Sequence, residues 1–455
     1  MTPLKKTSIP ARLCRGPVLL HGSQSKLSFR YKEPPLQPLP LRLPHRQTTT
    51  TATLSKALSS SAEMHDAISP TIYPDWPRSD ADLVPLPRCE GPKLKAFDFG
   101  GPQRIEFLQL LGDGAHGIVF KVKMRHRHYA LKLFRFCYED EWPCMIRESN
   151  IDDRAALTAF AQHSEPFYAE CRAFARLQET GHQDLALACF GYVLLDETHE
   201  ALLLEHFPDT QLIGTGFSAT FKEADCPPGC NVRTRYPGRD GRAPPIRGIV
   251  KELAEEVPER DLNEALATRM LADIGKFQQL GIFRIDVTPR QLLGNKTVSD
   301  LSMACTIPHW MATRALNPNL TPALLEAMRL ETFIRAKADY LQFDYEIDCW
   351  NDRHGATEGA IELRAFPGGQ GAPKLRSYEL RNKEARERVY THVNPTSYDW
   401  RRKSSASKRP LCAKPRKWIY CFGKDPELAE ELRSSNPDAG RYIFEYKNGY
   451  IQPWM

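Results

Sequence analysis

No apolar run in the chain comes near the ~18 residues that a membrane-spanning helix needs, and we read the protein as soluble. Acid is scarce at one end. Residues 1–62 hold ten Lys/Arg against a single carboxylate, Glu33, a balance of +9 that leaves −3 for the remainder of a chain totalling +6. The positive excess therefore belongs to a tail, not to the body. The twelve cysteines are scattered without tight pairs, and with no secretory signal this argues for a reducing compartment rather than a disulfide framework. Cys226 and Cys230 in CPPGC come nearest to a zinc knuckle. Their spacing is one residue too long and no second Cys/His pair follows at the right distance, so we read a turn. Helix-turn-helix, zinc-finger and RNA-binding motifs are also absent.

Residues 1–92 lack a sustained apolar period. Pro34, Pro35, Pro38, Pro40 and Pro44 are followed by Thr48–Thr51 and Ser59–Ser61, the composition of a disordered basic tail. Two other readings stay open for it: a mitochondrial transit peptide, from the basic, acid-poor, Ser/Thr-rich start, and a polyproline ligand at Pro35–Pro38. Strand-like runs then appear at Ile105–Leu111, Ile118–Val122, Tyr129–Phe134, Leu187–Leu195 and Ala201–His206, with Ile249–Leu253 as a further candidate. Phe167, Cys171, Phe174 and Leu177 mark one helix, and Leu262, Leu266, Met270, Ile274, Phe277 and Leu280 the apolar face of another. Ile361–Phe366 reads as a strand, Pro426–Arg433 as a short helix and Arg441–Tyr446 as a strand.

Gly112-Asp-Gly114-Ala-His-Gly117-Ile-Val119 matches G-x-G-x-x-G-x-V. Glycines there let two strands meet in a tight turn whose backbone N–H groups face phosphate with no Cβ in the way. A dinucleotide fold would begin a helix after such a loop; here a strand-forming run follows. Fifteen residues after Gly117, Tyr129-Ala130-Leu131-Lys132 resembles the V-A-I-K strand of protein kinases. Strand alternation puts Ala130 and Lys132 on one face, with Ala130 leaving room for a base and Lys132 reaching phosphates. The glutamate that pairs such a lysine is expected to be Glu170, with Glu165 and Glu179 as alternatives.

Gly281-Ile-Phe-Arg-Ile-Asp286-Val-Thr-Pro289-Arg-Gln291-Leu-Leu293 resembles the kinase catalytic loop, with Asp286 at the base position and Pro289 at the loop proline. Three matches to that pattern fail: Arg284-Ile285 replaces the His/Arg pair, Thr288 the lysine and Gln291 the magnesium-binding asparagine. Nine residues beyond Gln291, Val298-Ser-Asp300-Leu-Ser302 resembles D-F-G, with Asp300 as the metal-binding carboxylate. Gln291 keeps the amide but moves it by one methylene, and a ~1 Å misplacement can cost ~100-fold in rate. No A-P-E or activation loop follows. Asp348-Cys-Trp350 resembles the buried Asp-x-Trp of a kinase C-lobe helix, but Asn351–Gly359 reads as too polar and turn-prone to extend one.

On these motifs the expected fold is α+β: a two-lobed protein-kinase-like fold with a five-stranded antiparallel N-lobe carrying one helix, and a mainly helical C-lobe. The divisions are a tail over 1–92, an N-lobe over 93–207, an inserted loop over 208–245, a truncated C-lobe over 246–345 and a C-terminal extension over 346–455. Over about residues 97–400 the chain resembles a fungal inner-kinetochore subunit family whose members carry a kinase-like domain. The stretches that carry this are Leu110–Gly117, Tyr129–Phe136, Pro166–Phe174, Ile246–Glu252, Arg364–Pro367 and Tyr398–Arg401. The resemblance implies assembly with other protein subunits at centromeric chromatin, in the nucleus, without a need to retain catalysis.

Arg401–Lys417 holds eight basic residues in seventeen and no acid. Such a cluster reads as a nuclear import signal or an unselective contact with DNA phosphate, against the alternative of a solvated loop. Three functions stay in competition: a pseudokinase scaffold binding ATP weakly with Mg²⁺ compromised, a divergent active kinase using Lys132, Glu170, Asp286 and Asp300, and a chromatin-binding module built on the same fold.

Overall fold

The computed structural model describes residues 71–136, 154–208, 232–295, 297–317, 321–366, 388–402, 408–421, 444–447 and 450–453. Residues 1–70 lie outside these, as do Cys226, Cys230 and Pro426–Arg433. Residues 71–92, read from sequence as the end of the tail, are packed instead: Ile72, Tyr73 and Leu86 are buried, and Leu86 bridges Leu94.

The first half opens on β1 (Glu106–Asp113), β2 (Gly117–Met124) and β3 (Arg127–Phe134), followed by α1 (Arg154–Ser164) and α2 (Pro166–Glu179). Next come β4 (Cys189–Leu194), α3 (Glu197–His206), the single turn α4 (Val232–Arg235) and β5 (Arg247–Lys251). The five strands form one antiparallel sheet in the order β1-β2-β3-β5-β4. Gly117 lets β2 approach β3, because a Cβ there would lie 2.4 Å from the Leu133 carbonyl oxygen. At the far edge the arm, the segment 71–105 that precedes β1, runs beside β4, with Phe97 N donating to the Tyr192 carbonyl at 2.8 Å. Gly191 (φ +135°) permits that approach, since a Cβ on it would meet Phe97 N at 2.7 Å.

Among the described residues two α-helices, not one, lie between β3 and β4. Ala156, Leu157, Phe160 and Ala161 bury one face of α1. α2 starts at Pro166, where the missing N–H costs nothing, and the Glu165 carboxylate caps it by accepting from Phe167 N and Tyr168 N. Every residue from Pro166 to Leu177 is buried, Glu170, Arg172 and Arg176 included, because the helix is enclosed on all sides. Ala201–His206 is helical, contrary to the expectation of a strand. The Asp196 side chain accepts from His199 N at 2.8 Å, an N-cap that starts the helix just before this run. The fifth strand is instead Arg247–Lys251.

The second half carries α5 (Glu264–Gln279), then four two-residue strands. Of these, β6 (Ile282–Phe283) pairs with β9 (Cys305–Thr306), and β7 (Leu292–Leu293) with β8 (Thr297–Val298). α6 (Pro322–Glu358) is a 37-residue helix. Phe333, Ala336, Tyr340, Phe343, Ile347 and Trp350 recur on it at intervals of three and four and are buried. Asn351–Glu358 continues this helix, against expectation, because Trp350 is buried and Asn351 bonds Ile361 in both directions across the helix end. Position 345/346 falls inside it. Ile361–Phe366 is not a strand; the Ile361 N–H goes to Asn351 of α6, and those of Ala365 and Phe366 to Asp344. β10 (Arg388–Thr391) pairs with β11 (Trp418–Cys421), and β12 (Phe444–Lys447) with β13 (Tyr450–Pro453). Among the described residues no helix is long and apolar enough to cross a membrane.

Candidate functional site: a charge-balanced kinase-like cleft

The cleft is built from β3 outward. Lys132, 4% exposed, sits opposite Val119 on β2 and Ile249 on β5. Its Nζ donates to Glu170 Oε2 from α2 at 2.8 Å and to Asp300 Oδ1 at 2.8 Å. Burial alone would lower the Lys132 pKa, but Asp300 and Glu170 raise it above the ordinary lysine value. Burial likewise opposes ionisation of Asp300, yet Lys132 and Lys251 hold its carboxyl well below the usual range. Glu170, of the three glutamates considered, is the one that meets the lysine. Glu165 instead caps α2 and pairs with Arg247 at 2.7 Å, and Glu179 pairs with Arg176.

Lys251 escaped the sequence reading. It ends β5 beside Ala130, is 5% exposed, and donates to Glu170 Oε1 and to the Ser299 carbonyl, each at 2.7 Å. The available signal was its place in Arg247-Gly-Ile-Val-Lys251, a buried strand closed by a charge at each end.

Above the lysines, Gly112 pairs with Val119 and the turn closes by Gly114 N donating to the Gly117 carbonyl at 2.9 Å. Arg135 bonds the Gly114 carbonyl and pairs with Asp113. His116 points inward, its Nδ1 3.0 Å from Ser302 Oγ, tying the loop to the Asp300 turn. Burial and the adjacent Lys132 push its pKa down to about 4, so the ring is neutral at pH 7.

The catalytic-loop residues form a second network. Arg284 Nη2 donates to Gln291 Oε1 at 2.7 Å, and Gln291 Nε2 donates to Asp286 Oδ2 at 2.6 Å. Burial, reinforced by the Asp300 charge, raises the Asp286 pKa against the pull of Arg290. Asp339 of α6 supports the loop from below, its two oxygens accepting from Arg284 N at 3.0 Å and Ile285 N at 2.7 Å. This aspartate, not Asp348, is the buried acid of the long helix that meets the loop; it sits one residue before Tyr340 in the apolar periodicity of α6.

Magnesium takes hard oxygen ligands in near-octahedral array. Asp300 Oδ1 already accepts from Lys132 and from Ser302 N, and Gln291 Oε1 is held by Arg284. Among the described residues no group of three His, Cys, Asp or Glu could hold a metal.

Two fully buried arginines join α2 to the second lobe. Arg172 donates to the carbonyls of Thr306, Pro308 and Glu90, and Arg176 to those of Leu280 and Ile307. The segment after the Asp300 turn, where a kinase activation loop would begin, is thereby tied beneath α2.

A five-stranded antiparallel sheet, a buried lysine–glutamate pair and an aspartate from a helical lobe define a protein-kinase-like fold. Residues 83–305 match the family model described as kinetochore Sim4 complex subunit FTA2, which bears out over that segment the resemblance to a kinetochore subunit family. No curated protein matches the chain. Among solved structures the chain is similar to the Mycobacterium tuberculosis PknI kinase domain and to a cysteine-to-alanine mutant of it, at 12% identity and a TM-score of 0.25 for both. The matches cover 52% of this chain and 70% of that one for the former, and 53% and 73% for the mutant.

Proposed function

We propose that this protein is a catalytically inert kinase-fold scaffold, contributing to a kinetochore complex in the nucleus through contacts with other protein subunits. One observation carries the inert reading: Gln291 is bonded on both sides, its oxygen held by Arg284 and its amide nitrogen spent on Asp286 Oδ2, so the amide at the magnesium-binding position and one of the two carboxylate oxygens of the candidate base are engaged internally. Phosphoryl transfer depends on positioning and charge neutralisation, and both are diverted here into internal contacts. ATP binds weakly under the glycine loop, because His116 has to leave Ser302 before phosphates reach Lys132.

Phosphotransfer to generic peptides is expected at least ~1,000-fold below the ~1–100 per second of ordinary kinases. Purified protein with labelled ATP, beside an Asp286→Asn/Asp300→Asn double variant, measures this. Robust wild-type turnover that vanishes in the double variant makes the protein a working divergent kinase and ends the scaffold reading.

Nuclear residence rests on the basic segment. Arg401, Arg402, Lys414 and Arg416 are exposed, facing solvent where an import receptor or DNA phosphate could reach them, whereas Lys408 pairs with Asp184 at 2.9 Å. Alanine at these four exposed positions is expected to shift a tagged protein toward the cytoplasm. An unchanged distribution reduces the segment to a solvated loop.

A further inference from the structure

Glu170 is shared between two ammonium groups, Lys132 on one oxygen at 2.8 Å and Lys251 on the other at 2.7 Å. Lys132 continues to Asp300 at 2.8 Å. Lys251 is held from the other side by the carbonyl of Ser299, the residue preceding Asp300. The chain Lys251–Glu170–Lys132–Asp300 thus sets two cations against two carboxylates. Three of its side chains are nearly inaccessible, at 6%, 0% and 5% exposure, and only Asp300, at 37%, opens to the cleft.

The charge count decides what such a site attracts. Glu170, Asp300 and Lys132 by themselves sum to −1, a deficit that a metal-dependent phosphotransfer site fills with a divalent ion. Buried charge demands compensation at short range because the interior screens poorly. Lys251 supplies that compensation from within the chain. Its placement is enforced twice, by the β3–β5 register that sets it beside Ala130 and by its two acceptors. The net charge of the four groups is zero, and a divalent cation at Asp300 would face two ammonium groups instead of one.

We infer that Lys251 is a resident countercation that excludes divalent metal from Asp300, and that its ammonium is what separates this cleft from a metal-binding one. The inference deepens the inert-scaffold reading and can fail independently of it, because it is tested by metal binding with no phosphotransfer measured.

The experiment titrates Mn²⁺ into the full chain, reading water-proton relaxation and melting temperature, on wild type, Asp300→Asn, Lys251→Met, Lys251→Gln and Lys251→Met/Asp300→Asn. Wild type is expected to show no stoichiometric Mn²⁺ site at ~1 mM. Both single variants are expected to gain one, at least ~10-fold tighter, a modest part of the interaction between a unit charge and a divalent ion at an effective dielectric of ~20. The double variant is expected to lose it again. A wild-type Mn²⁺ site that is abolished by Asp300→Asn overturns the inference whether or not the lysine variants fold. So do folded Lys251→Met and Lys251→Gln proteins that gain no metal. Gln tests charge alone, since its amide can still donate to Glu170 or Ser299.

Discussion

Replacing Asp339 with alanine is expected to destabilise the protein by ~3–5 kcal/mol. Asp339 is fully buried and its carboxylate accepts from Arg284 N, Ile285 N and Gln278 Nε2. Burial raises its pKa, against these donors and the Arg284 charge. Ile285 has φ +68°, a left-handed conformation that costs a β-branched residue ~1–3 kcal/mol. The two Asp339 bonds hold the backbone there. Alanine orphans two buried N–H groups at ~1–3 kcal/mol each, with part of that cost returned if the loop relaxes. Asp339→Asn is expected to fall between, since one of its amide positions still accepts. Denaturant midpoints at constant m-value measure the change. A loss under ~0.5 kcal/mol for alanine, the range of neutral surface changes, would mean that the loop conformation is held by something other than this helix.

The second large effect is expected at Arg172. Arg172→Met removes donors to Glu90, Thr306 and Pro308, carbonyls of the arm and of the segment following the Asp300 turn. Two terms compete. Burying the guanidinium is costly, and burial lowers its pKa, so losing the charge returns free energy. The orphaned carbonyls of buried Thr306 and Pro308 cost ~1–3 kcal/mol each, while that of exposed Glu90 returns to water, and the two outweigh the gain for a net loss of ~1–3 kcal/mol. Alanine is expected to cost more, by the cavity it leaves. Amide exchange at Ile307, His309 and Trp310 should accelerate selectively in Arg172→Met. A methionine variant as stable as wild type, with unchanged exchange there, would show that packing alone docks α2. The guanidinium contacts oppose an outward swing of α2, which suits a fixed binding surface better than a switch.

The kinase-like motifs and the Lys132–Glu170 pairing were legible in the sequence, because local pattern carries them. The glycine spacing, the alternation of a short strand and the 3.6-residue period of a helix are set by neighbours in the chain. Gly117 belongs to this class, since only glycine permits the approach to Leu133. The same holds for the departures at Thr288 and Gln291, which are visible as residue types at motif positions. Local pattern misled at Ala201–His206, where three leucines look like a strand but Asp196 caps a helix, and at Asn351–Gly359, where polar residues hid a helix held by buried Trp350. What only the tertiary structure decided is which charges meet. Lys251 lies 81 residues from Glu170, and Asp339 54 from Ile285. Electrostatic partners of that kind depend on strand register and on how helices cross, for which no sequence period exists. His116 shows the same division: its place in the glycine loop is a matter of sequence, but its inward turn onto Ser302 follows from the packing of one lobe on the other.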